Sequence, residues 1–167
     1  TPVRSSLGRG SQHDATFDLD ADGPHLLVAG TTGAGKSELL RTLVIGLAHE
    51  AGPDELTFLL ADFKGGSALD PCAGLPHVTG VVTDLDPAAA SRTLTALSAE
   101  LTRRERVLRR DGASDLAEHR RGSAHPLARL VVVIDEFASL STGRPEVLDE
   151  LVEVARRGRS LGVHLVL

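Results

Sequence analysis

The 167-residue chain has few aromatic, sulfur-containing or lysine side chains. It contains four Phe and no Trp, Tyr or Met, so its hydrophobic core must be built from Leu, Val and Ala. The single Cys72 excludes an internal disulfide and is typical of proteins in the reducing cytosol. No apolar run approaches the roughly 20 residues that a membrane-spanning helix needs. We therefore expect any membrane anchor to lie outside this chain.

The overall charge is acidic, with a formal net charge of −5 at pH 7. Since free-standing nucleic-acid binders usually carry a basic surface, this balance does not favour that class. Only two lysines, Lys36 and Lys64, occur beside 16 arginines. Lysine is a compact point charge and arginine is a wide planar fork, so these two positions are candidates for sites where the shape of the cation matters.

Residues 30–37, with the sequence GTTGAGKS, match the phosphate-binding pattern G-x-x-x-x-G-K-[ST]. An apolar segment at 25–29 precedes them and predicts a short core strand, and residues 36–49 predict a helix. In this context the glycines let successive backbone N–H groups point at phosphate oxygens, and the helix N-terminus adds partial positive charge. The alternative is a glycine-rich turn with a chance lysine.

This loop predicts nucleotide contacts from a contiguous set of residues: Gly30, Thr31, Thr32, Gly33, Ala34, Gly35, Lys36, Ser37 and Glu38. Lys36 is expected to reach the β- and γ-phosphates of ATP, and the Ser37 hydroxyl is expected to ligate Mg²⁺.

Asp135 and Glu136 directly follow the unbroken apolar run Leu130–Ile134, which predicts a strand buried on both faces. The carboxyl edge of a parallel sheet is where α/β proteins bind their ligands. Asp135 is therefore expected to hold Mg²⁺ together with Ser37, and Glu136 to orient and deprotonate the attacking water. The pair favours hydrolysis of ATP over storage of a nucleotide, with a helix-capping acidic pair as the alternative.

Strands alternate with helices along the chain, which predicts an α/β fold with a parallel sheet, right-handed crossovers and flanking helices. The further predicted strands lie at 56–61, 78–83, 130–134 and 163–167, and the further helices at 86–110, 113–121 and 145–158. The predicted inward residues of the last helix are Val147, Leu148, Leu151, Val152 and Ala155. We divide the chain into a polar strand-and-turn segment at 1–24 and one domain at 25–167.

Two further groups of polar residues have open interpretations. Arg156 and Arg159 lie just before the last strand, where an arginine supplied to a neighbouring subunit would stabilise charge on the γ-phosphate. The alternative is a helix C-terminus whose cations complement the helix dipole. Asp62 and Lys64 follow the second core strand. They face a neighbouring nucleotide, an interface or a moving loop, or they form a polar turn.

The chain resembles the FtsK/SpoIIIE family of motor ATPases, in particular its EccC-like branch of type VII secretion systems and related actinobacterial proteins. The resemblance covers residues 25–167. It rests on the order and spacing of several blocks: 25–43, 62–66, 75–77, 81–85, the helix with Glu100, Arg103 and Arg104, 133–137 and 158–165.

The resemblance implies an additional-strand, RecA-like P-loop NTPase core that binds ATP and Mg²⁺ and assembles into a ring or a stack of ATPase domains. It favours an arginine-finger role for Arg156 or Arg159. It also implies a cytoplasmic domain of a membrane-anchored bacterial protein, with the anchor in other segments. Because family members continue past the last strand with a sensor and further strands, we expect the chain to be C-terminally incomplete.

Three functions remain open at this point. The leading hypothesis is an ATP-hydrolysing translocase domain that drives export of a secreted protein substrate, as in EccC-like motors. The second is a translocase of double-stranded DNA in chromosome segregation or DNA transfer, which uses the same motor. The third is a non-hydrolysing, ATP-binding docking module, which the complete loop and intact carboxylates disfavour.

Overall fold

The computed structural model describes residues 3–11, 13–63, 68–83, 87–138 and 145–167. Within these residues the elements follow in this order: β1 (Arg4–Arg9), β2 (Asp14–Asp18), α1 (Lys36–Glu50), β3 (Leu56–Asp62), a 3-10 turn (Asp70–Cys72), β4 (Val78–Val82), α2 (Pro87–Arg110), α3 (Leu116–Gly122), β5 (Arg129–Asp135), α4 (Pro145–Leu161) and β6 (Val163–Val166). Lys64 and Asp86, the first residue of the helix predicted at 86–110, lie outside the described residues.

The described part of the chain forms a parallel sheet in the strand order β4-β3-β5-β6. In the register of β3 and β5, Leu56 lies opposite Arg129 and Asp62 lies opposite Asp135. Two carboxylates therefore end neighbouring strands at the same edge of the sheet. The predicted α/β fold with a parallel sheet and flanking helices is confirmed.

The sequence predicts a short core strand at 25–29, and the structure corrects this to a segment with one isolated bridge. The segment pairs only with β6, through one bridge between Leu26 and Val166. Two backbone hydrogen bonds support this bridge, from Leu26 N to Leu165 O (2.8 Å) and from Val28 N to Leu167 O (2.7 Å). It has no second neighbour in the described sheet, and Leu27 is 70% exposed. β6 thus separates this segment from β5.

Alternating side chains of β5 pack into two hydrophobic cores, one on each face of the sheet. Val131 and Val133 pack in the cluster that contains α1. Val132 and Ile134 pack in the cluster that contains α2 and α4. The unbroken apolar sequence of this strand follows from its burial on both faces, and the burial fixes the position of Asp135 at its end.

The N-terminal hairpin packs on α1. β1 and β2 are antiparallel, and Val3, Phe17 and Leu19 are buried in the same cluster as α1. A side chain at Gly46 of α1 would overlap the Ser5 hydroxyl, so the glycine allows helix and hairpin to approach closely. The division of the chain near residue 24 stays a prediction.

The core-facing side of α2 carries four buried leucines, Leu94, Leu97, Leu101 and Leu108. The prediction for α4 is wrong at two positions, because Leu148 and Val152 are 45% and 55% exposed. They lie to one side of the buried stripe, which consists of Val147, Leu151, Val154, Gly158 and Leu161. The helix also continues past its predicted end at Gly158.

Candidate nucleotide-binding site

The glycine loop adopts a backbone that only glycine accepts easily. Gly33 and Gly35 have φ angles of 80° and 90°, in the region where a side chain would be strained. α1 begins at Lys36 with Gly35 as its N-cap, and no side chain caps the helix there. The first N–H groups of a helix have no partner within the helix. Without a capping side chain, they are available to an anion such as a phosphate group.

The Lys36 side chain folds back over the loop. Its Nζ donates hydrogen bonds to Gly30 O at 2.8 Å and to Thr31 O at 3.2 Å. The ammonium group is thus held at the mouth of the loop by two carbonyls of that loop. Glu38, two residues further into α1, forms an ion pair with Arg41 at 2.9 Å and is largely exposed.

The Ser37 hydroxyl and the Asp135 carboxylate meet at the carboxyl edge of the sheet. Ser37 Oγ donates a hydrogen bond of 2.6 Å to Asp135 Oδ2, and Asp135 is buried. Hydroxyl and carboxylate oxygens are ligands that Mg²⁺ accepts, so the donor set fits the predicted metal ligands. The sequence predicts this pair, and the structure brings its two members into contact.

Glu136 has a constrained backbone. Its φ of 59° is left-handed, and it is the only non-glycine residue of the described chain in that region. Such a conformation costs about 1–3 kcal/mol and persists only where the surroundings enforce it. The Glu136 backbone N–H donates to Asp135 Oδ1 at 2.8 Å, so the carboxylate of one residue orients the next. No pattern in the sequence predicts this turn.

A cavity of about 770 Å³ opens beside these groups. Its size lies in the range of ordinary small-molecule sites. Among the predicted residues, the cavity brings together Gly30, Thr31, Thr32, Lys36, Asp135 and Glu136. The sequence analysis missed the apolar part of its lining, which includes Leu27, Val28, Leu40, Ile134, Phe137 and Leu167. Gly33, Ala34, Gly35, Ser37 and Glu38 do not line it.

Asp62 lies at the same edge of the sheet as Asp135. It is buried, and its Oδ2 accepts a hydrogen bond of 3.3 Å from the backbone of Ala68. The roles proposed for Asp62 and Lys64 stay predictions.

Arg156 and Arg159 lie away from the loop. They line a second cavity, of about 370 Å³, whose wall includes Arg129 and Gly162 at the amino ends of β5 and β6. This is the opposite edge of the sheet from Asp135. Arg156 approaches Glu153 at 3.5 Å. These two arginines therefore cannot serve the nucleotide site of their own domain without a large rearrangement.

Two histidines connect the segment before the glycine loop to β6 and α4, and the sequence analysis missed both. His25 Nδ1 accepts from Leu165 N at 3.0 Å, so its Nε2–H donates to Ala155 O at 2.8 Å. His164 Nδ1 donates to Pro24 O at 2.9 Å. Burial lowers the pKa of His164 to about 4 and also lowers the pKa of His25. At pH 7 the His164 ring is therefore neutral in the folded protein.

The fold and the loop define the class of protein as a P-loop NTPase domain. The chain belongs to the FtsK/SpoIIIE family, whose family model matches residues 2–126. It is 40% identical over 167 residues to the ESX secretion system protein EccC of Geobacillus thermodenitrificans, covering 96% of this chain and 11% of that relative. The chain thus spans about a tenth of the length of this curated relative.

Solved structures agree with this assignment. The chain superimposes with a TM-score of 0.91 and 37% identity on the cytoplasmic domain of the type VII secretion ATPase EccC of Thermomonospora curvata, covering 99% of this chain and 21% of that one. It matches ATPases 2 and 3 of the same EccC in complex with a signal sequence peptide at a TM-score of 0.86 and 32% identity, covering 99% of this chain and 32% of that one.

No helix in the described ranges is long and apolar enough to cross a membrane.

Proposed function

We propose that this chain is an ATP-hydrolysing motor domain that drives protein export. The observation that carries the proposal is the contact between Ser37 of the glycine loop and Asp135 at the end of β5, with Glu136 directly beside it. This contact joins the phosphate-binding half of the site to the half that carries the carboxylates. A docking module that only binds ATP would not need Glu136 in a strained conformation at this position.

The residues of the loop have separate roles in this proposal. The backbone N–H groups of 30–37 and the N-terminus of α1 bind the phosphates, and Lys36 exchanges its loop carbonyls for the β- and γ-phosphate oxygens. Ser37 and Asp135 would hold Mg²⁺, which would neutralise negative charge on the phosphates. Glu136 orients the attacking water and accepts its proton.

Hydrolysis also requires a second copy of an ATPase domain. Arg156 and Arg159 lie at the opposite edge of the sheet from the nucleotide site, and both side chains are exposed. We assign one of them the role of a finger that reaches the γ-phosphate bound by a neighbouring domain. This role requires self-association into a ring or stack, and it accounts for exposed arginines that the core does not use.

A secreted protein is the proposed cargo. The related EccC structure contains a signal sequence peptide, and the net charge of this chain is −5. A motor that grips DNA must neutralise phosphates, so its binding weakens steeply as salt rises. We further propose that the domain is cytoplasmic and that segments outside this chain anchor the protein to the membrane.

The test is the ATPase rate of the full-length assembled protein, measured with the signal peptide of its secretion substrate or with long duplex DNA, at low and at physiological salt. We expect stimulation by the peptide and no response to DNA. Lys36→Ala protein serves as the control for contaminating ATPases. Several-fold stimulation by DNA that disappears as salt rises would overturn the export function in favour of DNA translocation. Absence of ATPase activity under every condition would favour the docking module.

A further inference from the structure

The C-terminal turn of α4, which carries Arg159, is held by a buried arginine of α2. Arg104 is 3% exposed. Its Nη1 donates to the backbone carbonyl of Leu161 at 2.9 Å, and its Nε donates to Glu100 Oε1 at 2.8 Å. The carbonyls of a last helical turn have no partner within the helix. Arg104 therefore caps α4 from a neighbouring helix, with its charge balanced by Glu100.

One ion pair and two closely packed glycines also fix this turn. Arg157 Nη2 donates a hydrogen bond to Glu105 of α2 at 2.9 Å. A Cβ at Gly158 would lie 2.5 Å from Val163 O, so only glycine allows the turn to pack this closely on β6. Gly162, which ends the turn, has a φ of 68° and leaves no room for a side chain beside Leu116. The backbone of this turn thus has little freedom to move.

The arginines on this turn have much less support of their own. Arg156 has a side-chain exposure of 77% and only a 3.5 Å approach to Glu153. Arg159 is exposed and forms no ion pair with any residue in the described ranges. An arginine side chain has many rotamers, so the position of its guanidinium depends on the backbone from which it extends.

Arg103 provides a built-in comparison. It binds the same Glu100, at 2.6 and 2.7 Å, but its side chain is 52% exposed. Unlike that of Arg104, its guanidinium donates no hydrogen bond to α4 within the described part of the chain. The adjacent arginines therefore share one carboxylate, and only Arg104 extends from it to the turn that carries Arg159.

We propose that Arg104 is a positioning residue that sets the reach of Arg156 and Arg159 into the nucleotide site of a neighbouring domain. This inference rests on the proposed function. A charged group that is misplaced by about 1 Å can lose roughly 100-fold in rate, so a fixed helix end matters more here than at an ordinary surface turn.

The experiment compares Arg104→Gln, Arg104→Lys and the matched control Arg103→Gln in the full-length assembled protein. We expect Arg104→Gln to lower kcat roughly ten- to 100-fold with KM for ATP unchanged, because its own nucleotide site is intact. Arg104→Lys is expected to lower kcat by a smaller factor, because lysine keeps the positive charge. It is still expected to lower kcat, because lysine cannot bind Glu100 and the Leu161 carbonyl at the same time. Arg103→Gln is expected to keep the parent kcat. Melting temperatures identify any variant that fails to fold, and Arg104→Lys then carries the test.

Mixed assemblies separate positioning from a general structural role. Lys36→Ala subunits lack a working loop but retain an ordered α4. Mixed with Arg104→Gln subunits, they are expected to restore hydrolysis above the sum of the two separate rates, because they supply the missing arginine to their neighbours. An increase in KM, an equal loss in Arg103→Gln, or no gain on mixing would overturn the inference.

Single Arg156→Ala and Arg159→Ala variants distinguish this inference from the function on which it rests. If one of them lowers kcat and the Arg104 variants do not, the positioning role of Arg104 is wrong and the arginine-finger role of Arg156 or Arg159 is retained. If neither lowers kcat, the finger and its positioning residue are both overturned.

Discussion

Ser37 Oγ and Asp135 Oδ2, which lie 98 positions apart in the chain, are joined by a hydrogen bond of 2.6 Å. One atom belongs to the first turn of α1 and the other to the last residue of β5. An O–H···O⁻ contact of this length is charge-assisted and strong. The contact fixes the distance between the phosphate-binding loop and the carboxylate edge of the sheet, which is the relationship that a Mg²⁺–nucleotide site requires.

Lys36→Ala is expected to weaken ATP binding by about 100-fold or more. The substitution removes a cation whose charge-assisted hydrogen bonds to a bound phosphate would contribute about 3 kcal/mol. Calorimetric titration of the full-length protein with ATP measures the effect. Arg109→Ala removes one exposed charge from α2 and is the control, with no change expected. Unchanged affinity in the Lys36 variant would exclude the loop as the phosphate site.

Asp135→Asn is expected to weaken ATP binding by at least about tenfold in the presence of Mg²⁺, with little change in the presence of a chelator. The amide keeps the shape of the side chain and loses the negative charge that favours a divalent cation. Titrations with Mg²⁺ and with chelator give the two affinities. Asp149→Asn, on the exposed side of α4, is the control. If the gain in affinity from Mg²⁺ is the same in Asp135→Asn as in the parent, Asp135 is not a ligand.

His164 is expected to make the free energy of unfolding depend on pH. Its pKa falls from 6.5 to about 4 in the folded protein, so the unfolded chain binds a proton that the folded chain excludes. The stabilisation is complete above pH 6.5 and is lost as the pH falls towards 4. From pH 7 to pH 5 the loss from this one group is roughly 2 kcal/mol.

The measurement for His164 is urea unfolding at pH 7 and pH 5. His164→Asn keeps a donor to Pro24 O without a titrating ring, so its pH dependence is expected to be weaker than that of the parent by this amount. His125→Asn, at an exposed position, is expected to behave like the parent. Equal pH dependence in all three proteins would contradict the burial of His164.

Gly162→Ala is expected to destabilise the fold by roughly 2 to 4 kcal/mol. The methyl group would collide with Leu116, and the left-handed φ would be strained. Gly122→Ala is the matched control, because a Cβ there meets no atom within 4 Å and alanine suits a helix better than glycine. Chemical denaturation gives both values. Equal stability of the two variants would show that Gly162 does not pack closely against Leu116.

The sequence predicts the elements whose signals are local. The glycine loop has a fixed pattern, and β5 is an unbroken apolar run that continues directly into Asp135 and Glu136. The strand is therefore predicted correctly, and the phosphate contacts of the loop stay a prediction. Contacts across the chain, such as His25 with Ala155, depend on tertiary placement and leave no local pattern.

Burial is the part of the fold that the sequence predicts least well. Leu148 and Val152 have helical spacing with Leu151 and Ala155, but periodicity alone does not give the width of the stripe that the core covers. Likewise, the apolar composition of residues 25–29 does not indicate that Leu27 faces outward. The left-handed Glu136 is enforced by its surroundings, and glutamate itself has no preference for that conformation.

The glycine loop and the pair Asp135-Glu136 are proposed to form one site that hydrolyses ATP. The most direct test is the turnover number of Glu136→Gln in the full-length assembled protein, measured together with its affinity for ATP. We predict that ATP binds with the parent affinity and that turnover falls by about 100- to 10,000-fold, because the amide cannot accept the proton of the attacking water. Hydrolysis by Glu136→Gln at the parent rate would contradict the account.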